Sequence, residues 1–167
     1  MMPTNNANPT SPTLVVQYAT AADPLPTIAE LTTWAAAALA PELYAHELTI
    51  RLIDEEESAA LNAQYRGREG ATNVLSFPFE ALPGLPEDCQ ILGDLAICAP
   101  LVAAEAAEQG KSCTAHWAHL VIHGVLHLQG YDHLQPADAE RMEHLETDLL
   151  HHLGFPPPYE HSASPVQ

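Results

Sequence analysis

With 167 residues, 47% of them hydrophobic, the chain has the size of one compact domain and enough apolar material for a core. No run approaches the roughly 18 apolar residues that cross a bilayer, and 22 acidic residues against 5 Lys or Arg give a net charge of −17. Such a surface repels polyanions over most of its area, so no membrane or DNA partner is expected and any nucleic-acid site must be small and local. The cysteines, Cys89, Cys98 and Cys113, are odd in number and lack CxxC spacing, which excludes a disulfide framework and a cysteine-based metal site and suits a reducing cytosol.

Residues 1–12, MMPTNNANPTSP, carry neither a basic residue nor an apolar run. They are expected to form a disordered lead-in and not a secretory signal. Residues 13–154 are expected to form a single domain, and 155–167, rich in Pro and Ser, a flexible tail. Leu14 to Tyr18 is β-prone, and Pro24 to Ala40 reads as a helix. Glu47 to Ile53 alternates with Leu48, Ile50 and Leu52 on one face. Asp54 is placed to cap a helix from Glu55 to Gln64 whose first turn is acidic. Thr72 to Phe77 is a strand stopped by Pro78, and Ile91 to Cys98 a further strand. Helices follow from Pro100 to Gln109, from Thr114 to Gln129 and from Pro136 to Leu153, each ended by a glycine. Four strands and about five helices in mixed order predict an α+β fold with a small mixed sheet.

Five of the 10 histidines lie between His116 and His133. On a helix His119, His123 and His127 form one stripe, but positions eight apart are separated by about 12 Å along the axis. Zn–N bonds of about 2.0 to 2.1 Å let only neighbours in the stripe share an ion. Gly130 can take the left-handed conformation that reverses the chain, which brings His133 back over the last turn. The predicted ligands are therefore His123, His127 and His133. Three nitrogens leave a fourth position open, as catalytic zinc sites do. Asp132 and His119 are candidates to orient the ligands from behind. His116 is read as structural, and His151 and His152 as exposed partners of a helix dipole.

The spacing resembles the metzincin protease motif H-E-x-x-H-x-x-G-x-x-H, but Gly124 stands where those enzymes carry the glutamate that takes a proton from water. A mid-helix glycine costs about 1 kcal/mol relative to Ala, so it implies either room for a substrate or close packing. With Gly124 in place, HGVLHLQGYDH (His123 to His133) resembles the signature of the YbeY family of bacterial endoribonucleases that mature ribosomal RNA. YRGREGATNVLSFPFE (Tyr65 to Glu80) and LGDLAIC (Leu92 to Cys98) are similar to that family's other segments, in the same order. The resemblance implies a zincin-like fold with a four-stranded sheet and a cytoplasmic protein holding one zinc on His123, His127 and His133. It also implies action on ribosomal RNA at the small ribosomal subunit and its proteins, and it transfers a functional arginine to Arg66. Arg68 and Glu69 depart mildly from the family pattern.

Zinc in an open site can polarise a phosphoryl oxygen and lower the pKa of bound water toward about 7. Arg66 offers a planar donor fork to the phosphate, and with Arg68 it forms the chain's one local concentration of positive charge. Arg66 and His123 are thus the candidate catalytic residues, with Arg66 and Arg68 binding substrate. The nucleophile stays open between zinc hydroxide, which needs no further base, and an RNA 2′-hydroxyl, which leaves a cyclic phosphate; Asp132 or a histidine is the candidate proton acceptor. Two other functions compete: a non-enzymatic ribosome-assembly factor with a structural metal, and a metzincin-like protease, against which Gly124 argues.

Overall fold

The computed structural model describes residues 9–79, 90–131 and 135–159. In chain order these form β1 (Thr13–Tyr18), α1 (Ile28–Ala38), a 3₁₀ turn (Pro41–Leu43), β2 (Glu47–Ile53), α2 (Glu55–Arg66), β3 (Val74–Pro78), β4 (Ile91–Cys98), α3 (Ala99–Gln109), α4 (Cys113–Leu128) and α5 (Pro136–His152). The sheet runs β1-β2-β4-β3. β1, β2 and β4 are parallel, and β3 is an antiparallel edge strand paired through Ser76 to Leu95. The expected α+β class with a four-stranded mixed sheet is what the chain adopts.

Alternation along the strands divides the apolar residues between two faces. Leu48, Ile50, Leu52, Leu95 and Ile97 join the main core with α1, α4 and the apolar face of α5. Ile53, Leu75, Ala96 and Cys98 form a smaller cluster on the opposite face, with Leu61 of α2 and Leu101 of α3. Helix α4 is apolar nearly all round and lies in the middle of the main layer, as such a helix must. Among the described residues no helix is long and apolar enough to cross a membrane.

Several boundaries differ from expectation for local reasons. Helix α1 starts at Ile28 because Thr27 and Glu30 form a reciprocal capping box. Asp54 occupies the cap position of α2 but makes no cap bond; its carboxylate accepts instead from the Thr20 hydroxyl. Helix α2 continues two residues past Gln64 to Arg66 and ends on Gly67, at φ 65°. Strand β3 starts at Val74, not Thr72, because the Thr72 N–H and C=O are both taken by the Ser58 hydroxyl. Pro78 closes β3 from inside the strand; antiparallel alternation points its missing N–H at the open edge, where no ladder bond is lost.

Candidate metal centre

Ser112 caps α4 by accepting from the Ala115 N–H, and the helix then carries His116, His119, His123 and His127 along one side. Successive ring centroids lie 6.2, 6.3 and 5.4 Å apart. The row changes character along its length. His116 and His119 are only 3% and 9% exposed, whereas His123 and His127 are half-buried.

A carboxylate from α5 organises the middle of this row. Glu146 is 0% exposed, and its two oxygens take hydrogen bonds from His119 Nε2 at 2.9 Å and His123 Nδ1 at 2.7 Å. The Tyr159 hydroxyl donates to the same carboxylate. Burial alone would raise the Glu146 carboxyl; the bonds from His119 and His123 outweigh it and hold the group down, at about 2. The anion in turn assigns the imidazole tautomers. Nδ1 of His123 carries the proton that faces Glu146, so Nε2 is the ligating nitrogen. Nε2 of His119 is the donor, which leaves its buried Nδ1 as an acceptor with no hydrogen-bond partner, cheaper to bury than an orphan donor charge.

His119, His123 and Glu146 bring one ligand atom each within 4.8 Å of one another, a group that could hold a metal ion. It overlaps the predicted set only at His123. His127 sits one turn further on, as expected. His133 and Asp132 lie outside the described residues. The chain reversal meant to deliver His133 does begin: Gly130 has φ 101° and the Tyr131 N–H returns to Leu126 O at 3.1 Å.

Glu146 was missed in the sequence although it left a signal. It falls in register with Met142 and Leu150, both 1% exposed, so it is the carboxylate on the apolar stripe of α5, and a buried carboxylate needs donors.

Arg66 stands exposed on the last turn of α2 and donates from Nη2 to Ser76 O of β3 at 2.8 Å. It does not pair with Glu69. Strand β3 packs on α4, so the arginine is tethered to the strand that borders the histidine helix. Arg68 is exposed, with its N–H on Asn62 O. Around Gly124 there is no substrate space: an added Cβ would lie 2.7 Å from Leu95 Cδ2. The glycine lets α4 approach β4. Upstream, His116 Nε2 and Asn73 Nδ2 both bond Glu105 Oε1, at 2.8 and 3.0 Å, and burial lowers the His116 pKa despite that partner.

A family profile described as Endoribonuclease YbeY matches residues 20–154. Among curated proteins, an endoribonuclease YbeY of Nitrosococcus oceani is 53% identical over 148 residues, 89% of this chain and 97% of its own length. One from Halorhodospira halophila is 61% identical over 127 residues, 73% of this chain and 82% of the relative. Among solved structures, the solution structure of a Thermotoga maritima protein aligns with a TM-score of 0.50 at 23% identity, over 84% of this chain and 92% of the other, a likeness of fold.

Proposed function

The chain belongs to the endoribonuclease YbeY family, and from that premise we propose that it is a zinc-dependent, single-strand endoribonuclease. In this reading it is a cytoplasmic protein of zincin-like fold that acts in ribosomal RNA maturation and quality control at the small ribosomal subunit. The observation that carries the metal centre is the 2.7 Å bond from His123 Nδ1 to a wholly buried carboxylate. That is the outer partner a metal-ligating histidine normally has.

The donor set suits zinc. His123 and His127 are neighbours on one side of α4, and His133, the third ligand that the family resemblance implies, would complete an open three-nitrogen site. The competing group of His119, His123 and Glu146 is less suited to catalysis. Glu146 already accepts from three donors, and an ion there would have to displace those bonds. Glu146 is therefore assigned to hold His123, the task the sequence suggested for Asp132 or His119. When bound, the zinc supplies a Lewis acid for a phosphoryl oxygen.

The chain's own residues then account for binding and orientation. A guanidinium has five N–H donors, so the bond to Ser76 O fixes the Arg66 plane and leaves a fork for the scissile phosphate. That fork counters the charge that grows on the phosphoryl oxygens as the bond is attacked. Arg68 adds charge to the approaching strand. Together with the ion they make one attractive locus on a protein of net charge −17, which steers RNA to this place and away from the rest.

The test is metal analysis and cleavage of single-stranded RNA by wild type, His127→Ala and Arg66→Ala. The expected outcome is about one zinc per wild-type chain, lost in His127→Ala and kept in Arg66→Ala, with cleavage lost in both. Full activity in metal-free protein sinks the reading. The product ends identify the nucleophile: a 2′,3′-cyclic phosphate marks the RNA hydroxyl, a 5′-phosphate marks water.

A further inference from the structure

A cavity of about 740 Å³ opens beside the upstream end of α4, within the roughly 300 to 1,000 Å³ typical of ligand sites. Asn73, Glu105 and His116 line it together with Lys111, His119 and Tyr159. His119 belongs both to this cavity and to the histidine row, its ring 6.3 Å from that of His123. The cavity therefore adjoins the proposed metal centre.

Its polar groups are held in place. Glu105 Oε1 accepts from the buried His116 and from Asn73, while Oε2 takes neither bond and the side chain is 28% exposed. A carboxylate clamped in this way presents an acceptor to whatever enters. Tyr159 is anchored through its hydroxyl on Glu146, and its ring stands edge-on to His119 at 5.3 Å. That fixes a half-buried aromatic plane at the wall. Glu108 also lines the cavity, so two carboxylates oppose a phosphate here. They favour a neutral ligand with amino donors, and among the described lining residues Lys111 is the one Lys or Arg.

We propose that this cavity is a subsite for one nucleobase of the RNA strand, next to the scissile phosphate: Tyr159 is its stacking platform and Glu105 Oε2 its acceptor for an exocyclic amine. The proposal rests on the endoribonuclease reading above. Stacking on an aromatic ring serves any base, whereas a carboxylate acceptor selects bases that carry an amine, cytosine among them. Uracil, which has a carbonyl at that position, is disfavoured.

The test uses the zinc-loaded protein and fluorescein-labelled single-stranded hexaribonucleotides, read by anisotropy, with an abasic site placed at each position in turn. One position is expected to cost wild type about 100-fold in affinity when abasic, stacking and the amine contact being lost together. For Glu105→Gln, checked for equal zinc content, the same lesion costs only about 10-fold, because the acceptor's share of the penalty is gone while stacking on Tyr159 remains. With wild type alone, changing cytosine to uracil at that position weakens binding about 10-fold. The proposal is overturned if the abasic penalty is undiminished in Glu105→Gln, or if wild type binds cytosine and uracil there equally. RNA that is cleaved while these differences are missing removes the subsite and leaves the enzyme reading intact; RNA that neither binds nor is cleaved removes both.

Discussion

The two halves of the histidine row on α4 use one residue type at helical spacing for different ends. The upstream pair, His116 and His119, is 3% and 9% exposed and each ring spends a nitrogen on a carboxylate, Glu105 or Glu146. The downstream pair is more open, with the His123 side chain 23% exposed and its Nδ1 committed to the back of the site. Burial against a carboxylate makes the upstream histidines part of the scaffold, while partial exposure leaves the downstream pair open to the ligand role proposed above. Glu146 joins the halves, because one buried anion holds a ring from each.

The comparison is broken most severely at that carboxylate. Glu146→Ala leaves buried donors of His119, His123 and Tyr159 without an acceptor and should cost about 3 to 5 kcal/mol, visible as a lower denaturation midpoint together with loss of zinc. Glu146→Gln keeps the shape and one acceptor, and should weaken zinc by about 10- to 100-fold in a chelator competition. His127→Ala against His119→Ala then separates the halves directly. The former should lose the ion and the latter retain it, read by metal analysis; the reverse result would falsify the assignment of His127 and favour the His119–His123–Glu146 group.

Arg66→Ala should lower RNA cleavage by about 10²- to 10³-fold while shifting the thermal midpoint little, since the side chain is exposed. Arg66→Lys should recover only part of that rate, having lost the planar fork. Gly124→Ala tests the spacing of α4 from the sheet. Its Cβ would stand 2.7 Å from Leu95 Cδ2, and overpacking of this kind costs about 1 to 3 kcal/mol in denaturant titration. If Gly124→Ala is neutral, the glycine is not there for packing.

The smallest effect is a pH dependence at the upstream end. Burial lowers the His116 pKa from its ordinary 6.5, so the unfolded chain takes up a proton more readily than the folded one. Stability from this residue is present above pH 6.5 and is lost as pH falls through and below that value. Thermal scans of metal-free protein between pH 7.5 and 5 should show a steeper decline for wild type than for His116→Gln. Equal slopes would mean that His116 does not contribute.

Much of the site was legible because helix geometry is periodic and local. The row from His119 to His127 and the reversal at Gly130 follow from spacing and from where glycines fall, whereas Arg66 was singled out by the family resemblance and lies two residues past the expected end of its helix. Glu146 was not, because 23 residues separate it from His123 and its role depends on how α5 packs on α4. The Arg66 bond to Ser76 is of the same kind: α2 and β3 are joined by a loop whose course is set by Ser58 and Asn62 holding Thr72 and Gly70. Capping was misread where a side chain had a tertiary alternative, as Asp54 does in Thr20.

By itself the sequence determined the class of fold, the run of strands and helices, the histidine spacing and the family, all of which rest on local periodicity or on residues close together in the chain. Only the tertiary structure decided which acid backs the histidines, which face of α4 is scaffold, and that Gly124 answers to Leu95. Those questions turn on burial. A carboxylate or an imidazole has a settled tautomer and charge only when its surroundings have excluded water and supplied a partner, and here the partners come from α5, α3 and β4, brought together by the packed core.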